Sequence, residues 1–282
     1  MFKRIRNSWE LVKASASVLR ADKELVIFPI VSGIGVIVVT LSFAFPMLLA
    51  GFFDALLKGH ARVFGLVVGL LFYTVQYFVI IFSNAALVGA ATIRLEGGDP
   101  TVRDGFRIAW QHIGAILGYA LIAATVGMIL RWLSERGKTL GRITSSILGL
   151  AWNLATYLVV PVLVIEGVGP LEAIRRSANL LRKTWGEQIV GNFSLGALFG
   201  FLGVAITLPF VAIAILAFSY HAVWLGTIVI LLTAMAIVLL GLISSTLNGI
   251  YVAAVYRYAT RGETGGFFDE HLIKEAFRPQ PQ

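Results

Sequence analysis

The chain has 282 residues and no cysteine, and only 13% of its residues are charged, about half the share of an ordinary soluble domain. Without cysteine it cannot form disulfides, thiolate metal sites, iron–sulfur clusters or cysteine nucleophiles. Apolar side chains make up 58% of the sequence, and the mean hydropathy is +0.85. This composition indicates an integral membrane protein. The net charge of +8 does not indicate nucleic-acid binding, because a basic face of that kind needs a solvated body.

Motifs for catalysis and metal binding are also missing. The four histidines, His60, His112, His221 and His271, lie far apart and lack the paired spacing of metal ligands. The sequence has no nucleophile elbow, phosphate-binding loop or dinucleotide fingerprint. Acid–base catalysis needs titratable groups that converge in a pocket, and among such groups only His112 is close to the membrane interior. We therefore predict a protein that is not an enzyme and binds neither a metal nor a cofactor.

Six long apolar runs are present, and none contains Asp, Glu, Lys or Arg. A run of about 20 apolar residues crosses the hydrocarbon layer as a helix, because a helix satisfies its own backbone hydrogen bonds. The first run begins after residue 24 and is about twice as long as the apolar part of a cleavable signal peptide, so we expect it to be retained. The runs lie at about Leu25–Phe53, Val63–Ile93, Ile108–Leu130, Ile143–Ile165, Ile189–Phe218 and Ala222–Val255.

These runs predict an all-α fold: a polytopic bundle of six transmembrane helices with three cytoplasmic amphipathic helices. Residues 1–24 form the N-terminal amphipathic helix. Residues 25–261 form the transmembrane domain, with cytoplasmic helices near residues 100–112 and 170–185. Residues 262–282 form a cytoplasmic tail, in which Gly265-Gly266 precedes a short docked helix.

The distribution of positive charge predicts the orientation, because short loops rich in Lys and Arg resist translocation. With both termini in the cytoplasm, seventeen of the 23 lysines and arginines lie on the cytoplasmic side. Four of the remaining six, Arg131, Arg136, Lys138 and Arg142, belong to one short outer connection. We therefore predict a multi-pass protein of the plasma (inner) membrane with cytoplasmic N- and C-termini.

Three apolar stripes with helical spacing precede the first, third and fifth runs. The second stripe follows Asp99-Pro100, which predicts a capping aspartate with proline at the first helical position, and the third follows Gly169-Pro170. The chain therefore consists of three units, each a surface helix followed by a transmembrane hairpin. The stripes are Phe2, Ile5, Trp9, Val12, Ala16 and Leu19; Val102, Phe106, Ala109 and Ile113; and Leu171, Ile174, Ala178, Leu181 and Trp185.

The opposite sides of these helices are basic. Each Lys or Arg near an anionic leaflet contributes about 1 kcal/mol of binding, and tryptophan anchors at the headgroup boundary. In the alternative, the helices pack on one another beneath the bundle as a structural collar. The predicted residues for binding lipid or a protein partner are Lys3, Arg4, Arg6, Trp9, Arg103, Arg107, Trp110, Arg175, Arg176, Arg182, Lys183 and Trp185.

Neutral polar residues interrupt the apolar runs. Amides and hydroxyls at membrane depth usually bridge neighbouring helices, and the alternative is that they line a polar cavity. The candidates for such a cavity are Gln76, Asn84, Asn153, Tyr157, Asn192 and Asn248. Four prolines, Pro29, Pro46, Pro161 and Pro209, are positioned to kink helices. The glycine pairs Gly65/Gly69, Gly114/Gly118 and Gly196/Gly200 are candidates for close helix packing.

Several stretches carry a resemblance to a bacterial polytopic membrane family of unknown function. They are Ser8-Trp9-Glu10-Leu11, Asp22-Lys23-Glu24-Leu25, Phe28-Pro29, Pro161 to Gly167, Gly169 to Ile174 with Ser177, and Lys183 to Gly186. That group is similar to the six-helix domain attached to some membrane glycerophosphodiester phosphodiesterases. The resemblance implies a six-helix inner-membrane protein. It carries no enzyme activity to this chain, because no phosphodiesterase catalytic domain is present.

Three functions are open from the sequence. The first is a non-catalytic membrane scaffold that binds anionic lipid or a protein partner through its basic surface helices. The second is an oligomeric channel or permease-like protein for a small solute, including an anionic one, since an uncharged core suits passive conduction. The third is a membrane enzyme acting on a lipid headgroup, for which no set of converging polar groups can be assembled.

Overall fold

The computed structural model describes residues 2–49, 62–136, 139–185, 194–264 and 266–275, and within these ranges it contains helices and no β-strand. A 3₁₀ turn, Lys23–Val26, leads into the helix that begins at Ile27. After the helix that ends at Ala155, the chain continues as a helical turn, Val159–Pro161, and a π-helical segment, Val162–Glu166. The α-helices are α1 (Phe2–Ala21), α2 (Ile27–Leu49), α3 (Arg62–Leu95), α4 (Val102–Gln111), α5 (Ile113–Arg136), α6 (Thr139–Ala155), α7 (Pro170–Trp185), α8 (Ser194–Ser219), α9 (Val223–Arg261) and α10 (Glu270–Glu275).

Six stretches of the described residues are long and apolar enough to cross a membrane, which confirms the predicted all-α bundle of six spans. The third span begins at Ile113 rather than near Ile108, because α4 ends at Gln111 and His112 separates the two helices. The predicted ends at Phe53 and Ile189 lie outside the described residues. The stretches are Lys23–Leu49, Val63–Leu95, Ile113–Glu135, Gly141–Glu166, Phe199–Ser219 and Val223–Arg261.

The surface helices α1, α4 and α7 form where they were predicted. Pro170 is the first residue of α7, as expected. The predicted cap of α4 was wrong: Thr101 is the N-cap, and it forms a reciprocal capping box with Asp104. Thr101 caps the helix because its side chain accepts a hydrogen bond from the backbone N–H of Asp104, while the Asp104 side chain accepts one from the backbone N–H of Thr101. Asp99 forms an ion pair with Arg94 instead.

The three units are arranged in a closed ring. The hairpins are α2/α3, α5/α6 and α8/α9, and each surface helix packs on the second helix of the hairpin that precedes it: α4 on α3, and α7 on α6 and the turn after it. No hairpin precedes α1, which packs on α9 and α8 at the other end of the chain. The N-terminal helix therefore closes the ring of three units.

The core lies at the end of the bundle that carries α1, α4 and α7, which we call the surface-helix end. It is built from the last parts of the second, fourth and sixth spans, and Leu25 and Phe28 at the start of α2 join it. The opposite halves of the spans expose large apolar side chains along most of their length, as expected for helices that face lipid. Fully buried core side chains include Leu87, Val88, Leu158, Leu163, Ile250 and Val255.

The buried sides of the surface helices agree with the predicted stripes in part, since the stripe members Val12, Ala109 and Leu181 are buried in the core. In α4 and α7 the contact is lined by small residues four apart, Gly105 with Ala109 and Ala173 with Ser177, and Leu11, Ser15 and Val18 line it in α1. Small residues suit these contact positions because they let helix backbones approach closely. Trp9 and Leu171, which belong to the predicted stripes, are exposed instead.

Of the predicted glycines Gly69, Gly114, Gly118 and Gly200, Gly118 alone approaches another element closely. A Cβ at Gly69, Gly114 or Gly200 would meet nothing within 4 Å, and one at Gly118 would lie 3.1 Å from Pro170 Cγ. The side chains of residues 185–198, and with them Gly196, lie outside the described part. Closer approaches occur elsewhere: a Cβ at Gly249 would lie 2.3 Å from Leu87 Cδ2. The spacing of glycines in the sequence shows where two helix backbones can approach closely. The geometry with which the helices cross decides where they do so.

Candidate functional site

The fourth span is interrupted near the surface-helix end. Its α-helix ends at Ala155 and resumes at Val159, because Pro161 has no N–H for the carbonyl of Tyr157 and its ring clashes with that carbonyl. The Leu158 N–H donates instead to Ser177 Oγ of α7 at 3.0 Å, and both residues are fully buried. The interruption is therefore held by a surface helix. By contrast, Pro46 and Pro209 lie inside continuous helices, and Pro29 lies in the first turn of α2.

Glu166, the last residue of the π-helical segment, joins three elements. Its Oε1 accepts a hydrogen bond from the Tyr256 hydroxyl of α9 at 3.0 Å, and its Oε2 lies 2.8 Å from Arg176 Nη1 of α7. The Glu166 side chain is 19% exposed and that of Arg176 is 52% exposed. Glu166 thus links the fourth span, the sixth span and a surface helix at the edge of the core.

A second group of charges lies where the second and sixth spans end. Arg257 Nη2 lies 2.9 Å from Glu263 Oε2, and Arg261 Nη1 lies 2.6 Å from Glu96 Oε1. Arg257 Nη1 also lies 3.7 Å from Glu96 Oε1. These pairs fasten the end of α9 to the end of α3.

A third group surrounds the start of the first span. Asp22 accepts from the Glu24 N–H at 3.2 Å, and its other oxygen lies 3.5 Å from Arg94 Nε. Its side chain is only 4% exposed, and burial raises the pKa of the Asp22 carboxyl, partly offset by Arg94. Glu24 Oε2 accepts from the Val102 N–H at 3.1 Å, which ties the first span to the start of α4.

We call these three groups together the charged layer. Within the described part of the chain, each Asp, Glu, Lys and Arg lies outside the six stretches or within about one turn of an end. The second, fourth and sixth spans each end at a glycine with left-handed backbone, Gly97, Gly167 and Gly262, with φ of 86°, 66° and 72°. The sequence reasoning missed the carboxylates of this layer. The recurring Glu-Gly pair at residues 96–97 and 166–167 is the signal that could have found them.

The described members of the predicted lipid- or partner-binding set lie on the outside of the surface helices. On α4, Trp110 is 66% exposed. The Trp110 ring meets Phe82 of α3 edge-on, with centroids 6.3 Å apart. The side chains of Lys3, Arg4, Arg6 and Trp185 lie outside the described part. The other members, Trp9, Arg103, Arg107, Arg175, Arg176, Arg182 and Lys183, are exposed.

The described members of the predicted cavity set have different surroundings. Gln76 Nε2 donates to Thr40 Oγ1 at 2.7 Å and so bridges α3 to α2. Asn84 is half-buried beside Gly249 of α9, at the level of the core. Asn153 and Asn248 are exposed on their spans, Tyr157 is half-buried at the interruption of the fourth span, and Asn192 lies outside the described residues.

Comparisons with known proteins give the chain a family. A search of curated proteins and a search of solved structures find no match. A family model described as a family of unknown function, DUF6159, matches residues 63–267, from the second span to the tail. Within the described residues, no group of three or more His, Cys, Asp or Glu is placed to hold a metal ion. The match covers most of the chain, which therefore belongs to this family of unknown function and has the six apolar helices of a multi-pass membrane protein.

Proposed function

We propose that the protein is a non-catalytic scaffold of the inner membrane that binds the anionic leaflet through its basic amphipathic surface helices, with the surface-helix end and both termini in the cytoplasm. The observation that carries the proposal is the outer side of α4. Arg103, Arg107 and Trp110 follow one another at spacings of four and three residues and are all exposed, so they share one helical face. Two guanidinium groups and an indole on one face suit phosphates at the headgroup boundary.

The depth of α4 supports this assignment. Its inner side is wedged against α3, since a Cβ at Gly105 would lie 2.7 Å from the Ala86 carbonyl oxygen. Ala86 lies nine residues before the end of the span at Leu95, or about 14 Å at 1.5 Å per residue. The helix therefore lies beside the end of a span rather than out in water. At this depth arginine side chains extend to the headgroups and tryptophan stays at the boundary.

A similar surface continues on α7, where Arg175, Arg182 and Lys183 are exposed on the side away from Ala173 and Ser177. The helices are thus packed on spans by one side and present basic groups on the other. A collar of surface helices and a lipid-binding surface are compatible in this arrangement, because packing and binding use opposite sides of each helix.

The channel or permease-like alternative has weaker support. A conduction path needs polar groups that converge, and among the described candidates Gln76 bonds to Thr40 of the adjacent helix while Asn153 and Asn248 are exposed on their spans. Leu87, Leu163 and Ile250 are fully buried in the layer where the second, fourth and sixth spans meet. The likeness to the six-helix domain of membrane phosphodiesterases stays a prediction, and the proposal does not depend on it.

The test is lipid retention by native mass spectrometry after titration with phosphatidylglycerol or phosphatidylcholine. We expect the native protein to retain phosphatidylglycerol in preference, and the Arg103→Gln/Arg107→Gln variant to bind it about 30-fold more weakly, since two cations contribute about 2 kcal/mol. The matched control is Arg131→Gln/Arg142→Gln, which removes the same charge at the opposite end. Equal retention of the two lipids by the native protein, or equal weakening in both variants, would contradict the proposal.

A further inference from the structure

The contact between α7 and the interrupted fourth span rests on two adjacent residues of α7. Ser177 points inward and accepts the Leu158 N–H at 3.0 Å. Arg176 lies at the edge of the contact, 2.8 Å from Glu166 Oε2. The two contacts lie at the two ends of the irregular segment, Leu158 at its start and Glu166 at its end. Both ends of the segment are therefore held by α7.

This segment departs from the regular α-helix of the rest of the span. A π-helix is rare and occurs mostly as a single turn, often at functional sites. The segment ends at Gly167, whose φ of 66° lies in the left-handed region, so the chain turns away from the helix there. Its conformation therefore depends on contacts from outside, and Arg176 and Ser177 supply two of them.

Arg176 has a second possible partner. Its side chain is 52% exposed, and it lies beside Arg175 on the helix that also carries Arg182 and Lys183. A guanidinium group binds a carboxylate and a phosphate through the same donor geometry. A lipid phosphate that binds Arg176 in this way would take the place of the Glu166 carboxylate. Glu166 would then keep the Tyr256 hydroxyl and lose its cationic partner.

We propose that the phosphate of an anionic lipid and the carboxylate of Glu166 compete for Arg176, so that lipid bound to α7 loosens the interrupted end of the fourth span. This inference rests on the proposed lipid-binding function and adds the regulation of the same surface. Because coupling between two equilibria is reciprocal, removing the Glu166 charge must strengthen lipid binding at α7.

The first measurement is phosphatidylglycerol affinity of the full chain. We expect Glu166→Gln to raise it about fivefold. The matched control is Glu172→Gln, which removes an exposed carboxylate from α7 itself and changes only the general charge. A rise of the same size in both variants would overturn the competition for Arg176.

The second measurement is amide hydrogen exchange of residues 158–166 in nanodiscs. We expect exchange to rise when phosphatidylglycerol replaces phosphatidylcholine, and to be already high and insensitive to lipid in Arg176→Gln but not in Arg175→Gln. The comparison of Arg176→Gln with Arg175→Gln tests the competition for Arg176 even if Glu166→Gln does not fold. Inorganic phosphate added to phosphatidylcholine nanodiscs tests whether a free anion acts as the lipid does. An equal rise in hydrogen exchange with inorganic phosphate would overturn the lipid assignment.

The outcomes separate the two proposals. If the native protein shows no preference for phosphatidylglycerol, both the proposed function and this inference fail. If it binds the anionic lipid while exchange of residues 158–166 stays unchanged, the function stands and this inference alone is overturned.

Discussion

The two ends of the bundle are built from the same helices and differ in almost every physical respect. At the surface-helix end, the last turns of α3 are buried among other helices, and Leu87 is 1% exposed. At the opposite end of the same helix, Leu66 is 63% exposed. Both are leucines in an apolar run, yet one contacts protein and the other is left for lipid. Hydrophobicity therefore places a residue in the membrane and says nothing about which neighbour it has there.

The charged layer lies at the surface-helix end, and this position has a physical reason. Helix ends leave carbonyl and amide groups unpaired, and the chain must turn there in contact with water. Ion pairs such as Arg261–Glu96 can join neighbouring spans at this level, where charged groups are not enclosed by hydrocarbon. At the opposite end the polar links are sparser: Arg131 Nη1 of α5 donates to the Tyr73 hydroxyl of α3 at 2.9 Å, and Arg131 pairs with Glu135 of its own helix.

The largest expected effect comes from truncating one leucine at each end of α3. Leu87 packs into the space above Gly249, so Leu87→Ala leaves a cavity and should lower the free energy of unfolding by about 3 kcal/mol. Leu66→Ala, at the exposed end, should change it by less than about 1 kcal/mol. Reversible unfolding of the protein in mixed micelles measures both. Equal losses would mean that the two ends are packed alike.

A smaller contrast comes from adding a methyl group to a glycine. At Gly105 the new Cβ would lie 2.4 Å from Phe28 Cζ and 2.7 Å from the Ala86 carbonyl oxygen. Because the carbonyl oxygen belongs to the backbone and cannot turn aside, Gly105→Ala should lower the free energy of unfolding by about 2 kcal/mol. Gly69→Ala, in open space on α3, should be neutral or slightly stabilising, since alanine favours helix. A tolerated Gly105→Ala would show that α4 is not wedged against α3.

The smallest effect is a pH dependence of opposite sign at two carboxyls. Hydrogen bonds from Thr101 lower the pKa of Asp104 below 3.8, so its contribution to stability is complete above pH 3.8 and is lost as the pH falls through the lowered pKa. Burial raises the pKa of Asp22 above 3.8, so its contribution is complete below pH 3.8 and is lost as the pH rises through the raised pKa.

Thermal melts between pH 3 and pH 7 separate the two carboxyls. The Tm deficit of Asp104→Asn should shrink on acidification. Asp22→Asn, in which the amide oxygen can keep the Glu24 cap, should gain in Tm relative to the native protein as the pH rises. Parallel pH profiles of the two variants would contradict the assigned pKa directions.

Individual residues show how far the sequence could predict the fold and the site. Pro170 predicted the start of α7 because a proline at the first helical position is a local signal. At α4 the Asp99-Pro100 signal led to the wrong cap, and the Thr101/Asp104 pair, whose spacing of three residues fits a capping box, was missed. The bond from the Leu158 N–H to Ser177 could not be predicted, because nothing in the sequence pattern says which side chain accepts a hydrogen bond from an amide at an interruption of a helix.

The amino-acid sequence by itself determined that six helices are long and apolar enough to cross a membrane, where the three surface helices lie along the chain, and that charges stay near the ends of the spans. Each follows from the cost of placing a charge or an unpaired backbone group in hydrocarbon, a cost that acts residue by residue. The tertiary structure alone decided that α1 closes the ring on α9, that Ser15, Gly105 and Ser177 join members of the apolar stripes in the surface-helix contacts, and that Glu166 meets Arg176 and Tyr256. These contacts join residues far apart in the chain, and they depend on how whole helices cross, which no local pattern encodes.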